Sequence, residues 1–413
     1  MLDQEPGDDL SEEFVDEWLE LDRWVNSGSP SGFSAVHVTS ESTLPTSPHR
    51  TFSLPIFDLR STQVAYTHFG DRARCLSPWE FPVHPDMSER FEEATKLSPV
   101  RSIPASATSS MRTVFVEGRK GQAFLKLSYH DLLGRQVRLM TQDHVRSAVQ
   151  VSRVLRRAIL GHNVTASFGI FHEPFGVALD GDALGLGWGY VERQFAPIMP
   201  QVDGQLIPAF SLFGNDRRRA KNTPLLHAII GARKQLLRPD LFFNLVLRPV
   251  LDSYFGVLVK TGLQLELHAQ NLVFLVPNSP RRSWRVVYRD MESVDKDLPL
   301  MRIAGTAAPF INDVYKALRE EDYNYQIKHS FMFDFKLGEY VLRPLVDCWE
   351  KASSANVAEL IRLIRRRVSH WQQVLPESFL PAGWYDYAPV IHVGERRDYQ
   401  FHAVPPFREG GHV

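Results

Sequence analysis

The chain has 413 residues, 44% of them hydrophobic, which is enough for two or three domains with well-packed cores. Lysine and arginine number 47 against 48 aspartates and glutamates, so charge gives no reason to expect nucleic acid or an anionic membrane as a partner. Two cysteines are too few for a disulfide framework, and no segment resembles a secretion signal or a membrane span. We therefore expect a folded cytoplasmic protein without nucleic-acid or membrane partners.

The first predicted element is an acidic amphipathic helix over residues 10–25. Its apolar residues recur at helical spacing and are Leu10, Phe14, Trp18, Leu21 and Val25. We expect its acidic face to be solvated. Residues 26–53 are rich in serine, threonine and proline, a composition that predicts a flexible linker.

The elements that follow are strands first and mostly helices later. Strands are predicted at 111–116, 123–129, 136–139, 166–171, 187–195, 272–276 and 284–288, and helices at 141–160, 223–236, 240–261, 340–351 and 356–373. The tail after Pro376 is expected to be irregular. Because the elements do not alternate as βαβ units, the predicted class is α+β. We divide the chain into 1–53, a β-rich nucleotide-binding part at 54–220, and a part at 221–413 with the second hairpin and the C-terminal helices.

The first candidate site is the turn before the strand at 111–116. Thr108, Ser109 and Ser110 offer hydroxyl and amide donors to phosphate oxygens, and Arg112 adds a bidentate cation. The facing strand supplies Lys126, and Arg138 follows one strand later. Three cations on a small sheet are suited to a triphosphate, although exposed strands commonly carry such residues.

The second candidate site is the turn at 266–271. Glu266, His268 and Asn271 lie within six positions, and Asp290 ends the next hairpin. Carboxylate and amide oxygens converging there would suit Mg²⁺, which takes one or two carboxylates beside nucleotide phosphates. The alternative is a structural turn in which His268 and Asn271 bond to loop backbone.

A kinase-like phosphotransferase could use a similar turn, but it needs a carboxylate base two positions after the histidine. That position is Gln270, which cannot accept the proton. The pattern therefore favours chemistry other than phosphoryl transfer to a hydroxyl.

Five sequence features, taken in order, resemble the motifs of one family. They are Ser-Ser-Met-Arg-Thr at 109–113, Leu-Lys-Leu-Ser at 125–128, Arg138, Leu-Glu-Leu-His-Ala-Gln-Asn at 265–271 and Arg-Asp-Met at 289–291. It is the family of siderophore synthetases that work independently of nonribosomal peptide synthetases, of the aerobactin (IucA/IucC) type. The resemblance covers residues 82–297. It implies a cupped-hand fold of thumb, fingers and palm with a reduced N-terminal part, in which 54–220 is fingers-like and 221–413 palm-like.

The resemblance also implies a function and site residues. The family uses ATP and Mg²⁺ to activate a carboxylic acid, commonly citrate or a relative, as an acyl-adenylate that an amine or hydroxyl then attacks. ATP contacts are implied for Ser110, Arg112, Thr113, Lys126, Arg138, His268 and Asn271, with Arg112, Lys126 and His268 in catalytic roles. Glu266 and Asp290 are implied as metal ligands. The resulting prediction is an AMP-forming ligase of siderophore-like or other specialised metabolism, with a homodimer as one assembly to test; a noncatalytic nucleotide- or partner-binding homologue is the alternative.

Two further segments are secondary candidates. The Pro-Val-His-Pro run makes His84 a weak site residue, because Asp86 stands where the family commonly has an aromatic. The cluster Arg362, Arg365, Arg366 and Arg367 is expected to form a solvated or salt-bridged helix face, with acid binding as the alternative.

Overall fold

The structure is a computed structural model that describes residues 12–25, 43–61, 64–71, 75–118, 121–133, 136–180, 187–200, 203–216, 218, 223–310, 315–319, 321, 325–375, 384–386, 400–402 and 406–408. Most of the predicted linker therefore lies outside the described residues. The chain divides into two compact units, which are described separately. The first comprises 1–157, 170–198 and 289–292, and the second comprises 158–169, 199–288 and 293–413.

The strands in chain order are β1 Phe52–Asp58, β2 Tyr66–Gly70, β3 Glu80–Pro82, β4 Arg101–Ala107, β5 Thr113–Gly118, β6 Gly121–Leu127, β7 Tyr129–Leu133, β8 Gln136–Arg138, β9 Phe168–Ile170, β10 Phe175–Leu179, β11 Gly189–Gln194, β12 Gly204–Pro208, β13 Leu263–Gln264, β14 Leu272–Pro277, β15 Arg285–Tyr288, β16 Asp295–Asp297, β17 Ala317–Leu318, β18 Trp384–Asp386 and β19 Gln400–His402.

The α-helices are α1 Glu12–Trp24, α2 Ser88–Thr95, α3 Gln142–Leu160, α4 Ala209–Phe213, α5 Leu225–Ala232, α6 Pro239–Phe242, α7 Arg248–Thr261, α8 Leu298–Ala304, α9 Tyr325–Ser330, α10 Arg343–Ser353 and α11 Ala358–Gln372. A π-helical segment, Phe243–Leu247, joins α6 to α7, and a longer one, Phe331–Leu342, joins α9 to α10.

The first unit is built on a sheet with the described order β2-β10-β11-β6-β5-β4-β1-β3. Neighbouring strands run antiparallel, and side chains alternate between its faces. Val114, Val116 and Leu125 point into the main core of this unit. Helix α3 packs closely on the sheet, since a Cβ on Gly176 would lie 2.5 Å from Cγ1 of Val145.

Helix α1 covers the same face as α3, which is opposite the face of Val114, Val116 and Leu125. The Trp18 ring lies 5.0 Å from the ring of Phe124 on β6 and 5.7 Å from that of Phe195. The helix is confirmed, but the predicted buried stripe is displaced. The buried residues are Val15, Trp18, Leu19, Asp22 and Arg23. Asp22 and Arg23 can lie on the buried face because both have buried hydrogen-bond partners. The solvated acidic face that we expected is therefore limited to residues such as Glu13 and Glu20.

The second unit combines a sheet of described order β12-β14-β15-β9, a small sheet of order β13-β16-β17, and most of the helices. Helices α6 and α7 and their π-helical link form one apolar rod over 239–261, long enough to cross a membrane by length and composition alone. However, 72% of its most apolar window is buried inside the protein, as in the core helix of a soluble protein. The Trp349 ring of α10 stacks on that of Phe242 at 5.8 Å, which ties the C-terminal helices to this rod, and its Nε1 donates to the carbonyl of Leu236 at 2.7 Å.

Most predicted elements are present, with shifted ends. The hairpin predicted at 111–116 and 123–129 is β5 and β6, and the one predicted at 272–276 and 284–288 is β14 and β15. The expectation of an irregular tail is wrong for β18 and β19, which pair antiparallel. Several strands were not predicted at all, among them β1, β3 and β4. The α+β class is confirmed.

Candidate functional site

The serine turn, residues 108–112, is held by its own side chains. The Thr108 hydroxyl donates to the carbonyl of Thr113 at 2.7 Å, and the Ser110 hydroxyl accepts from the amide of Thr113 at 3.0 Å. Met111 has a φ of 63°, an uncommon value for a bulky residue. These bonds hold the turn in one defined conformation. The Ser110 hydroxyl accepts the bond from Thr113, so its own proton is still available to donate to a ligand.

The two cations predicted on facing strands are neighbours. The amide of Leu127 donates to the carbonyl of Arg112 at 2.9 Å, and Thr113 pairs with Lys126 across β5 and β6. Arg112 and Lys126 are only 8% and 2% exposed. Buried cations require partners, because desolvation of an unpaired charge is costly.

Their partners are two carboxylates from residues 289–292. Lys126 bonds to Asp290 and lies 3.2 Å from Oε2 of Glu292, while Nη2 of Arg112 is 4.0 Å from the same oxygen. We call these four residues, Arg112, Lys126, Asp290 and Glu292, the Lys126 cluster. Asp290 has a φ of 82°, so this segment too has an unusual backbone conformation.

Burial alone would raise the pKa of Asp290, but the charge of Lys126, with smaller contributions from Arg193 and Arg112, outweighs it and holds that pKa at about 2. Asp290 is therefore ionised at neutral pH. His144 is close enough to be affected by Glu292 and Lys126, and burial lowers its pKa. Its Nδ1 lies 2.9 Å from the carbonyl of Leu139. The cluster thus combines two cations and two anions beside a histidine that favours the neutral form.

A second layer of buried charge supports residues 289–292. Glu173 accepts from the amide of Met291 at 3.3 Å and from Nε of Arg193 at 2.8 Å. The Glu173 amide in turn donates to the Ser152 hydroxyl on α3 at 2.7 Å. These bonds fix the backbone that carries Asp290 and Glu292.

The turn at 266–271 belongs to the second unit. Nδ1 of His268 accepts from the amide of Gln270 at 3.2 Å, and the Asn271 side-chain amide donates to the carbonyl of Glu266 at 3.2 Å and to Ser293 Oγ at 3.3 Å. These are the bonds expected of a structural turn. They do not exclude a ligand role, because each side chain has further polar atoms.

Glu266 is paired with a lysine that belongs to none of the sequence motifs. Nζ of Lys336, on the long π-helical segment, lies 2.6 Å from Oε1 of Glu266. Burial opposes ionisation of Glu266, but Lys336, His268 and Lys316 together lower its pKa. π-helical segments are rare, and single-turn π-bulges frequently occur at functional sites.

The predicted site residues are divided between the two units. The first unit contains Ser110, Arg112, Thr113, Lys126 and Asp290, and the second unit contains Glu266, His268 and Asn271. Arg138 contributes its backbone carbonyl to Nη1 of Arg112 at 3.2 Å, while its side chain is exposed. Within the described ranges, no group of three or more His, Cys, Asp or Glu side chains is arranged to hold a metal.

Sequence reasoning missed Glu292 and His144. Glu292 lies in a short 3-10 helix, Met291–Ser293, directly after the left-handed Asp290, so no strand alternation in the sequence could have identified it. The secondary candidates have structural partners. His84 Nδ1 accepts from the Asp86 amide at 3.3 Å, and Nε of Arg367 lies 2.6 Å from Oδ1 of Asp252. The second contact supports the salt-bridged face expected for the arginine cluster.

Two family models match the chain. The model of the IucA / IucC family matches residues 78–214, which include the serine turn and Lys126. The model described as ferric iron reductase FhuF-like transporter matches residues 240–382, most of the second unit. No curated protein sequence matches this chain.

Solved structures share the fold. The ATP-bound aerobactin synthetase IucA of Klebsiella pneumoniae superposes with a TM-score of 0.69 at 16% identity, covering 89% of this chain and 72% of that one. The aerobactin synthetase IucC of the same organism gives 0.64 at 17% identity, covering 94% and 76%. The petrobactin biosynthesis protein AsbB of Bacillus anthracis gives 0.66 at 13%, covering 89% and 70%. At such identities the likeness establishes the fold, which is the α+β fold of these proteins.

Proposed function

We propose that this chain is a member of the IucA/IucC family, whose model matches residues 78–214, and that it is an ATP-dependent ligase that joins a small carboxylic acid to an amine or a hydroxyl group. The observation that carries the proposal is the pair Arg112 and Lys126, buried side by side at the end of the serine turn. These residues lie within the part of the chain that matches the family model. One of the structural relatives is an aerobactin synthetase in its ATP-bound form.

The serine turn has the chemistry that a triphosphate requires. The Ser110 hydroxyl can donate, the Arg112 guanidinium can make two parallel bonds, and Lys126 adds a compact positive charge. In a site shielded from water, such charges stabilise negative charge on phosphate oxygens strongly. Thr113 supports the turn through its backbone, and we retain it and Arg138 as predicted contacts.

Mg²⁺ also suits the donors of the Lys126 cluster. Asp290 and Glu292 are hard oxygen donors close to the same lysine, and Mg²⁺ typically takes one or two carboxylates beside phosphate oxygens. Bound there, the ion would neutralise phosphate charge and orient the triphosphate. We propose Asp290 and Glu292 as its carboxylates in this unit, and Glu266 remains a predicted ligand. Asp290→Asn should therefore raise the Mg²⁺ concentration needed for half-maximal rate.

The reaction we propose has two steps. A carboxylate oxygen of the acid attacks the α-phosphorus of ATP, and the bond to pyrophosphate breaks, leaving an acyl-adenylate. An amine nitrogen or hydroxyl oxygen then attacks the acyl carbon, AMP departs, and a proton is released. Neither step needs a protein nucleophile. The work of Arg112 and Lys126 is to hold the phosphates in line and to stabilise their charge, and His268 and Asn271 are predicted to face the nucleotide.

Product analysis with a panel of acids tests this function. Incubation with ATP, Mg²⁺ and hydroxylamine should give AMP, pyrophosphate and a hydroxamate for the correct acid. Arg112→Gln should lower the rate by about 10²- to 10³-fold, the usual cost of losing one charge-stabilising donor. Arg101→Gln is the matched control, since Arg101 lies on the same sheet and is paired with Glu80 at 2.7 Å.

Two outcomes would contradict the proposal. ADP as the product would restore the phosphotransferase alternative. Nucleotide binding with neither product, over a broad panel of acids and amines, would favour a noncatalytic homologue.

A further inference from the structure

Helix α1 is part of the surroundings of the Lys126 cluster. Phe124, against which Trp18 packs, precedes Lys126 by two residues on β6, so the two side chains point to the same face of the sheet. The Arg289 guanidinium lies 5.4 Å above the Trp18 ring. The helix therefore covers the sheet directly beside the buried cations.

One carboxylate of this helix bonds to both backbone segments of the cluster. Oδ2 of Asp22 accepts from the amide of Ser109 at 2.8 Å, and Oδ1 accepts from Nη2 of Arg289 at 2.9 Å and from the Ser109 hydroxyl at 3.3 Å. Asp22 is fully buried. Ser109 lies in the turn that leads to Arg112, and Arg289 immediately precedes Asp290. Asp22 thus joins the segment that supplies a cation to the segment that supplies the acids.

We propose that Asp22 is a positioning residue of the nucleotide site, which sets the distance between the serine turn and residues 289–292. The inference rests on the proposed function, because it assigns Asp22 to the ATP half of that reaction. Two unusual backbone conformations, at Met111 and Asp290, lie within three residues of the atoms that Asp22 holds. Such conformations persist only where surrounding contacts enforce them. Asp22 supplies contacts of this kind to both segments.

Anchoring of the helix does not depend on Asp22. Arg23 donates from Nε to the carbonyl of Pro45 at 3.1 Å and from Nη2 to that of Ser47 at 2.9 Å. Trp18 is packed against Phe124 of the sheet independently of Asp22. A variant at Asp22 should therefore keep the helix docked while releasing the two segments.

The experiment compares Asp22→Asn with Asp22→Glu and with Asp16→Asn. Asp16 is the matched control, because it is on the same helix but forms an exposed ion pair with Arg50. Hydrogen exchange in the ligand-free protein should quicken at 109–113 and 289–292 in Asp22→Asn only. In steady state, Asp22→Asn should lower kcat/KM for ATP by about 10- to 100-fold, the scale expected for small misplacements. The KM for the acid should be little changed, and Asp22→Glu should recover part of the loss.

A second variant, Arg289→Gln, keeps the test decisive if Asp22→Asn fails to fold. Arg289→Gln removes the other end of the bridge, and its effect on kcat/KM for ATP should be less than additive with that of Asp22→Asn. If Asp22→Asn exchanges faster at these segments but has the same kcat/KM for ATP as the Asp16→Asn control, the role of Asp22 is purely structural and the inference is overturned. Additive effects of the two variants would do the same. A wild-type protein that neither binds nor consumes ATP would instead refute the proposed function itself, and with it this role for Asp22.

Discussion

Replacing Lys126 by methionine tests the electrostatics of the cluster without any assumption about the reaction. Methionine is close to lysine in length but carries no charge, so Asp290 and Glu292 would lose the ammonium they share. The pKa of Asp290 lies at about 2, against an ordinary value of 3.8. Each tenfold change in proton affinity is about 1.4 kcal/mol, so the paired carboxylate stabilises the fold by about 2 kcal/mol at neutral pH.

The sign of this effect fixes its pH dependence. Because the folded-state pKa is the lower one, the stabilisation is complete above the ordinary pKa and is lost as pH falls towards 2. At pH 3 roughly half of it should remain. Lys126→Met should therefore reduce the free energy of unfolding by at least about 2 kcal/mol at pH 7, since burial without Lys126 would raise the pKa of Asp290, and by markedly less at pH 3.

Urea unfolding of the ligand-free protein at several pH values measures this difference. Lys260→Met is the control, since Lys260 is exposed in the last turn of α7. If Lys126→Met destabilises the protein equally at pH 7 and pH 3, the ion pair with Asp290 is not the source of the effect. The same variant should lose about 10²- to 10³-fold in turnover.

Two further predictions concern the buried charges outside the cluster. Arg408→Met should cost about 3 to 5 kcal/mol in urea unfolding, because it removes the cation paired with Asp334, both side chains being 1% exposed in the native pair. Burial raises the pKa of Asp334, so an unchanged midpoint would mean that Asp334 is protonated. His84 and His130 should titrate by NMR near pH 4, since burial lowers the pKa of each to about 4. Their contribution to stability is complete above pH about 6.5 and is lost as pH falls towards 4, and titration near pH 6.5 would show that the rings are accessible to water.

The sequence predicted the positions of the two candidate cations better than it predicted their partners. Lys126 lies on the predicted facing strand, because two β-rich runs flank a glycine-bearing turn, whereas Arg112 lies just before β5, in the serine turn. The pairing of Lys126 with Asp290 could not be predicted, since it joins residues far apart in the chain through the tertiary fold. Lys336 was missed for the same reason. Its partner Glu266 lies on another element, and the π-helical segment that carries Lys336 has no sequence signature.

The strands that were missed have sequences with weak strand preference. β4 reads Arg-Ser-Ile-Pro-Ala-Ser-Ala, and small residues and proline are uncommon in strands. It forms because β1 and β5 pair with it on either side. Helix α1 shows a related limitation. Its dense acidic residues predicted a solvated face, whereas Asp22 is buried, and only the fold shows that Ser109 and Arg289 are there to bond with it.

Under the proposed function, the Lys126 cluster also gives a reason for the nucleotide and the metal ion to bind together. Lys126, Asp290 and Glu292 satisfy one another in the ligand-free protein. If Lys126 turned to a phosphate, both carboxylates would lose their nearest cation, and if the carboxylates turned to a metal ion, Lys126 would lose both of these anions. Either change alone upsets the charge balance of a buried cluster, which is costly. When both occur, each group has a new partner of opposite charge. On the proposed function, the internal ion pairs therefore favour binding of phosphate and metal as a unit, and each ligand should strengthen the binding of the other by the same factor.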